Sequence, residues 1–335
     1  MMIIIPSYEP DEKLVKLVIA LKTNPAHQIL VVDDGSGPRY ANLFATVAEL
    51  GATVLTHEVN RGKGAALKTA FAYLKERANS DDVFVTADSD GQHLVEDIDR
   101  VGQAVKRSPH QIVLGARAFV GKVPARSRFG NKVTAGLFKL VTGQAISDTQ
   151  TGLRGFSSQH LDWLLSLPGE RFEYEFQMLL DSKKAGFTLV EVPIETIYIE
   201  ENKSSHFRPI QDSVRIYAPF LTFMASSCAA ALLDIGLLFL LMTLTNNLLV
   251  SVILSRLASA GFQYLLNAHL VFRQKEQNLT PIMRYGLLVV ALLVCNAFML
   301  QGLVKLGIGL LLAKIMTEIF LFLVSYRMQQ TVVFG

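Results

Sequence analysis

Phe84-Val85-Thr86-Ala87-Asp88-Ser89-Asp90-Gly91-Gln92-His93 sets an apolar, β-prone run directly against two carboxylates one residue apart. A buried strand that ends this way delivers Asp88 and Asp90 to the edge of a sheet, and Gly91 supplies the turn that follows. Open α/β sheets bind their ligands at that edge. Two hard oxygen donors at this spacing suit Mg²⁺ or Mn²⁺ held against a diphosphate, with Gln92 as a third oxygen or as an orienting neighbour. A solvated turn or a helix N-cap uses the same residue types, so the choice rests on the rest of the chain.

Working outward, residues 2–5, 29–32, 53–55, 83–85 and 112–114 are short apolar runs bounded by turn or charge signals, the pattern of buried parallel strands. Between them, residues 11–21, 40–50, 64–77 and 94–105 have helical spacing, which predicts a doubly wound α/β sheet. Neither Gly35-Ser36-Gly37 nor Gly62-Lys63-Gly64 continues into Gly-x-Gly-x-x-Gly, and there is no Walker A sequence, so dinucleotide binding is disfavoured. The strand ends are polar: Pro6-Ser7-Tyr8-Glu9, Asp33-Asp34-Gly35-Ser36 and Asn60-Arg61-Gly62-Lys63-Gly64. Tyr8 suits stacking on a base, and Asp33 or Asp34 suits hydrogen bonds from a base edge or ribose hydroxyls. The glycines flanking Lys63 allow a helix N-terminus and an ammonium to approach phosphate oxygens. Each alone also reads as turn or capping chemistry; their succession at four strand ends favours a site.

The second half is a different material. Of 32 Lys and Arg and 29 Asp and Glu, only seven and three respectively lie from Phe220 onward, which predicts a soluble domain (1–215) followed by a membrane domain (216–335). Residues 220–244, 248–272, 282–306 and 308–328 are four apolar stretches, each long enough to cross about 30 Å of hydrocarbon. The middle connection carries Arg273, Lys275 and Arg284, so the positive-inside rule puts it, both termini and the soluble domain on the cytoplasmic side of a multi-pass membrane protein. No charged n-region or cleavage site precedes the first strand, which also points to a cytoplasmic domain. Cys228 and Cys295 both fall in the apolar half and indicate neither a disulfide framework nor a zinc site. Sliding the chain by 62 residues aligns Pro219 with Pro281, Asp234 with Asn296, Tyr264 with Tyr326 and Val271-Phe272 with Val333-Phe334, the spacing of two related hairpins. Asp234, Arg256, Lys314 and Glu318 lie within the stretches, where charge faces a partner or a cavity. Lys314 and Glu318 are placed to neutralise each other or to meet a lipid phosphate; Arg256 pairs with Asp234 or Glu318.

Ile5-Pro6-Ser7-Tyr8-Glu9, Asp33-Asp34-Gly35-Ser36, Asn60-Arg61-Gly62-Lys63-Gly64, the Asp88 stretch and Gly115-Ala116-Arg117 together resemble the ordered motifs of family 2 glycosyltransferases with a GT-A fold. Within that family they look most like the polyprenyl-phosphate sugar transferases. The resemblance implies that Pro6, Tyr8, Glu9 and Asp33 surround the nucleoside, that Asp88, Asp90 and Gln92 surround the metal, and that Lys63 lies near the donor. Glu9-Pro10 stands where the family has Asn-Glu. Asp148-Thr149-Gln150-Thr151-Gly152-Leu153-Arg154 looks like the family's acceptor and donor-sugar loop, which makes Asp148, Gln150 and Arg154 site candidates. Arg117 and Arg128 suit a forked phosphate clamp, whereas Arg126 reads as a solvated basic residue. Glu173 and Glu175 open a helix and suit sugar hydroxyls or the helix dipole. Lys203-Ser204-Ser205-His206-Phe207-Arg208 resembles the loop that closes over the diphosphate, which assigns Lys203 and Arg208 to phosphates. His93 and His206 read as structural histidines. Residues 219–334, with Asn267-Ala268-His269-Leu270-Val271-Phe272, also look like the GtrA-type four-helix membrane family.

The expected activity is inverting, metal-dependent transfer of a hexose from a nucleotide-sugar to an undecaprenyl or dolichyl phosphate. UDP-hexose is favoured as donor over GDP-mannose. The bilayer is a partner, a homo-oligomer is an allowed assembly, and no nucleic acid is expected. A processive polysaccharide synthase is disfavoured because Trp163, the only tryptophan, is not in a Gln-x-x-Arg-Trp motif. A lipid-linked sugar transporter with a regulatory nucleotide-sugar-binding domain is the alternative from another class.

Overall fold

The computed structural model describes residues 1–117, 135, 136, 138, 139, 142–195, 209–272 and 279–334; Arg126, Arg128, Lys203, His206 and Arg208 lie outside them. The chain divides into two compact units, Met1–Ile216 and Tyr217–Gly335.

Among the described residues the first unit is built on a seven-stranded sheet: β1 (Met2–Ser7), β2 (Gln28–Asp33), β3 (Thr53–Thr56), β4 (Val83–Thr86), β5 (Gln111–Arg117), β6 (Arg154–Ser157) and β7 (Thr188–Ile194). Their order across the sheet is β3-β2-β1-β4-β6-β5-β7. All neighbours are parallel except the two pairs made by β6, which runs antiparallel between β4 and β5. The helices α1 (Glu12–Lys22), α2 (Ala41–Glu49), α3 (Lys63–Lys75), α4 (Val95–Arg107), α5 (Leu161–Ser166) and α6 (Glu173–Ser182) fill the connections. Strand alternation sorts the core into two layers. Ile4, Leu30, Val32, Phe84 and Leu114 face α3, α5 and α6, while Ile3, Ile5, Val31, Val85 and Val113 face α1, α2 and α4. The expected strands and helices are present, and β6 and β7 are additions.

The order reverses direction between β1 and β4, the switch point at which such sheets leave a crevice at their carboxyl edge. Register places Ser7 beside Asp33 and Asp33 beside Thr56 at that edge. There β4 ends at Thr86, and the Ala87 N–H donates to Ile4 O at 2.9 Å. Asp88 therefore leaves the sheet beside the end of β1.

The second unit takes in α7 (Pro209–Thr245) from Tyr217 onward, with α8 (Leu248–Leu266), α9 (Leu279–Lys305) and α10 (Leu310–Met328). Among the described residues three segments, Leu221–Thr245, Leu248–Val271 and Leu279–Lys305, are long and apolar enough to cross a membrane; α10 carries Lys314, Glu318 and Arg327 within 19 residues. The 62-residue correspondence appears in the contacts. Helices α8 and α10 each end in a π-helical turn, Asn267–Val271 and Gln329–Val333. Tyr264 stacks on Phe334, and the equivalent Tyr326 packs against Phe272. Phe272 and Phe334, equivalent to each other, stack with centroids 4.9 Å apart. Ser251, Ser255 and Ser259 of α8 are buried, as are their equivalents Ala313, Thr317 and Leu321 of α10.

Candidate active site

The site is assembled from strand ends. Asp34 fixes its floor: Oδ1 accepts from His57 Nδ1 at 2.8 Å and from the Arg61 N–H at 3.0 Å, and Oδ2 accepts from the Gly62 N–H at 2.7 Å. Asp33 accepts from the Ser36 N–H at 2.9 Å. Both are buried, and Asp34 thus anchors the turn that leads into α3. Gly62 caps that helix at φ 107°, a conformation that favours glycine. A Cβ on Gly64 would lie 2.6 Å from Tyr174 Cβ. The closeness that these glycines permit is taken up by residues 170–174; the Ala65 N–H donates to Glu170 O at 2.8 Å.

Packed this way, the start of α3 points Lys63 inward. Its Nζ lies 2.7 Å from Asp88 Oδ1 and 2.9 Å from Glu175 Oε2. The other Asp88 oxygen is 3.4 Å from His93 Nε2, and His93 Nδ1 is buried without a partner among the described residues. Burial works to lower the Lys63 pKa, but the charges of Asp88 and Glu175 outweigh it and raise the pKa above the ordinary lysine value. Burial works to raise Asp88; Lys63 and the His93 hydrogen bond override it and hold this carboxyl well below the usual range. Asp90 is pushed upward, by burial first and then by the charge of Asp88, against the hydrogen bond its Oδ1 accepts from the Gln92 N–H at 3.0 Å.

The opposite wall is the approach to β6. Thr86 Oγ1 donates to Gly152 O at 2.8 Å, and a Cβ on Gly152 would lie 2.2 Å from Asp88 Oδ2. Gly152 therefore leaves the space that the carboxylate occupies. Arg154 is buried, with Nε donating to Thr151 O and Nη1 to Glu175 O at 2.9 and 2.6 Å, so it braces the main chain around the site. Arg117 forks onto Asp148, with Nε to Oδ2 at 2.6 Å and Nη2 to Oδ1 at 2.9 Å. Asp148 Oδ1 also accepts from the Gln150 N–H. The turn before Asp148 hangs on Glu191 of β7, whose Oε1 accepts from the Ser147 N–H at 2.6 Å and the Asp148 N–H at 3.2 Å.

At the end of β1, Pro6 is buried, Tyr8 half-buried and Glu9 exposed. Glu9 adopts φ 47°, and its N–H donates to Ser36 Oγ at 2.8 Å. The structure thus joins Lys63, Asp88 and Glu175 in one group and Arg117, Asp148 and Gln150 in another. Glu173 serves its own helix start, with Oε1 accepting from the Glu170 and Arg171 N–H groups. Sequence reasoning did not identify Gly152 or Glu191. The first shows only as one glycine in a polar run, and the second carries no local signal.

Among the described residues no three His, Cys, Asp or Glu side chains converge on a metal-sized gap. Two carboxylates completed by substrate phosphate oxygens and water are the usual donor set for Mg²⁺ or Mn²⁺. Asp88, for whose carboxylate Gly152 leaves room, and Asp90 are of that donor type.

Residues 2–162 match glycosyl transferase family 2, and residues 222–334 match the GtrA/DPMS transmembrane domain. The UDP-N-acetylglucosamine–dolichyl-phosphate N-acetylglucosaminyltransferase of Methanococcus voltae is 30% identical over 220 residues, 59% of this chain and 86% of that protein. The polyprenol monophosphomannose synthase of Mycolicibacterium smegmatis is 28% identical over 204 residues, 58% of this chain and 76% of that one. The undecaprenyl-phosphate mannosyltransferase of Micrococcus luteus is 27% identical over 210 residues, 60% and 85% of the two chains. The chain thus belongs to glycosyl transferase family 2: it is a glycosyltransferase whose catalytic domain is followed by a GtrA/DPMS transmembrane domain.

Proposed function

We propose that the chain transfers a hexose, with inversion, from a nucleotide-sugar to a polyprenyl phosphate at the cytoplasmic face of the cell membrane. The observation that carries this reading is the Asp88/Asp90 pair at the switch point of the sheet, in a chain that continues into apolar helices. Its relatives are, by name, transferases acting on dolichyl, polyprenol or undecaprenyl phosphate. The acceptor phosphate has a second pKa near ~6 and is largely dianionic at neutral pH, so its oxygen attacks the anomeric carbon without a general base. The task left to the protein is to stabilise the departing diphosphate. Asp88 and Asp90, with Gln92 alongside, would hold Mg²⁺ or Mn²⁺, which when bound offsets charge on that leaving group. Lys63 adds a cation at the same place.

Pro6, Tyr8, Glu9 and Asp33 are assigned to the nucleoside of the donor, UDP-hexose before GDP-mannose. Asp34 supports them through the turn it anchors. Asp148 and Gln150 are assigned to the donor sugar, with Arg154 bracing the main chain that carries them, and Arg117 and Arg128 are assigned to the acceptor phosphate. Lys203 and Arg208 are assigned to the diphosphate. Four membrane spans complete the reading. Helix α10 supports the fourth, because Leu311, Ile319 and Phe320 are exposed on it and Lys314 pairs with Glu318, which lowers the cost of both charges in lipid.

The test is a panel of nucleotide-sugars, UDP-N-acetylglucosamine and GDP-mannose included, offered to the detergent-solubilised full chain with a polyprenyl phosphate. Release of nucleoside diphosphate that requires both the lipid and a divalent cation is the expected result. Undiminished transfer after exhaustive chelation, or binding without turnover across the panel, overturns it.

A further inference from the structure

Lys63 ties together two carboxylates, Asp88 beside β4 and Glu175 at the start of α6. Its ammonium is within ion-pair distance of both Asp88 and Glu175. Three restraints hold it there: Asp34 accepts from the Arg61 and Gly62 N–H groups, the Ala65 N–H donates to Glu170 O, and Gly64 lies against Tyr174. The far oxygen of Asp88 meets His93. Both oxygens of the first proposed metal ligand thus already face protein donors, one of them a full positive charge.

A divalent ion approaching Asp88 alone has to displace that ammonium or share the carboxylate with it, and two cations on one carboxylate repel. A nucleoside diphosphate changes the balance, because its phosphate oxygens offer the ammonium another anionic partner at the same sheet edge. Resting on the assignment of Asp88 and Asp90 to the divalent cation, we propose that Lys63 is the resident cation of this site. It occupies Asp88 and Glu175 until a nucleoside diphosphate draws the ammonium away, so nucleotide and metal enter together and metal alone is resisted.

The experiment measures Mn²⁺ binding to the detergent-solubilised full chain by the electron paramagnetic resonance of free Mn²⁺, without nucleotide and with saturating UDP or GDP. Wild type is expected to bind Mn²⁺ weakly alone and about tenfold or more tightly with nucleotide. Lys63→Met removes the competitor, so its nucleotide-free affinity should rise about fivefold or more, with correspondingly smaller coupling to nucleotide. Lys63→Gln should do the same, and Lys63→Arg, which keeps the charge, should behave as wild type. Trp163 fluorescence melts confirm that each variant is folded. Folded Met and Gln variants whose nucleotide-free affinity is no higher than wild type, while nucleotide still recruits Mn²⁺, overturn the exchange and leave the metal site standing. Failure of the wild type to bind Mn²⁺ even with saturating nucleotide overturns both.

Discussion

Asp90 sits beside a like charge and accepts a hydrogen bond from the Gln92 main chain. Its carboxylate therefore costs the fold something that only a cation repays. Asp90→Asn should lower kcat by about 10²-fold or more, the scale of removing one electrostatic stabiliser, while the melting temperature stays level or rises. Steady-state kinetics beside a thermal melt check this; a variant with full activity removes Asp90 from the site. His160 gives the opposite kind of residue, structural and pH-sensitive. Its Nδ1 accepts from the Ser157 N–H at 3.1 Å, Nε2 is buried without a partner among the described residues, and the ring packs on Phe187. Burial holds its pKa down to about 4, against 6.5 for an ordinary histidine. A depressed histidine pKa means the unfolded chain takes up a proton first as pH falls. Stability from this group is intact above pH 6.5 and is lost between 6.5 and 4, at up to about 1.4 kcal/mol per pH unit. Trp163, the only tryptophan, packs on the same Phe187, so its fluorescence melt reports this cluster. His160→Gln should flatten the loss between pH 7 and 4.5; identical slopes would refute the assignment.

At the scale of elements, the decisive contacts are made by glycines that let elements approach. Gly152→Ala places a methyl where the Asp88 carboxylate lies. The carboxylate has to turn, so transfer should fall at least about tenfold with little change in melting, because the loop itself can stay put. Gly64→Ala collides with Tyr174 Cβ and the Glu170 main chain, which cannot rotate away. It should cost about 1–3 kcal/mol of stability and displace Lys63 as well, so melting temperature and activity drop together. These two outcomes also explain what sequence pattern could and could not reveal. Strands β1, β2, β4 and β5 were legible because each is a run of branched or aromatic residues buried on both faces. Strand β6 was not: Arg154-Gly155-Phe156-Ser157 has a charge and a glycine where a strand signal needs β-branched side chains, and Arg154 is buried only because main-chain carbonyls receive its guanidinium. Asp34 looked like a ligand-binding acid, since nothing local shows that its oxygens are used by residues 57, 61 and 62. The Asp88 pair was legible because the strand ends on it.

The internal repeat organises the membrane unit as a whole, and its centre is polar. Asn267 Nδ2 donates to Gln329 Oε1 at 2.9 Å, and these two residues are equivalent under the 62-residue shift. Ser226 Oγ donates to Asn267 Oδ1 at 2.5 Å and Gln329 Nε2 donates to Ser325 Oγ at 3.0 Å, so the amide pair joins three helices. Further out, Asp234 pairs with Arg256, and the equivalent Asn296 donates to Glu318. The two halves keep a polar partner at the same place while changing its charge. Lipid tails give helices little hydrophobic reason to associate, so packing and interhelical hydrogen bonds set the register. The aromatic stack of Phe272 on Phe334 supplies the packing, and Asn267 with Gln329 supplies the directional link. Asn267→Ala leaves buried groups of Gln329 and Ser226 without their partners, and Gln329→Ala does the same to Asn267. Each should lower the melting temperature of the membrane unit in detergent. Because the pair is one link, the double variant should cost less than the sum of the singles, with a coupling of about 0.6–1.7 kcal/mol. Strict additivity would mean that the two hairpins are registered by aromatic packing alone, and Phe272→Leu should then be the more damaging substitution.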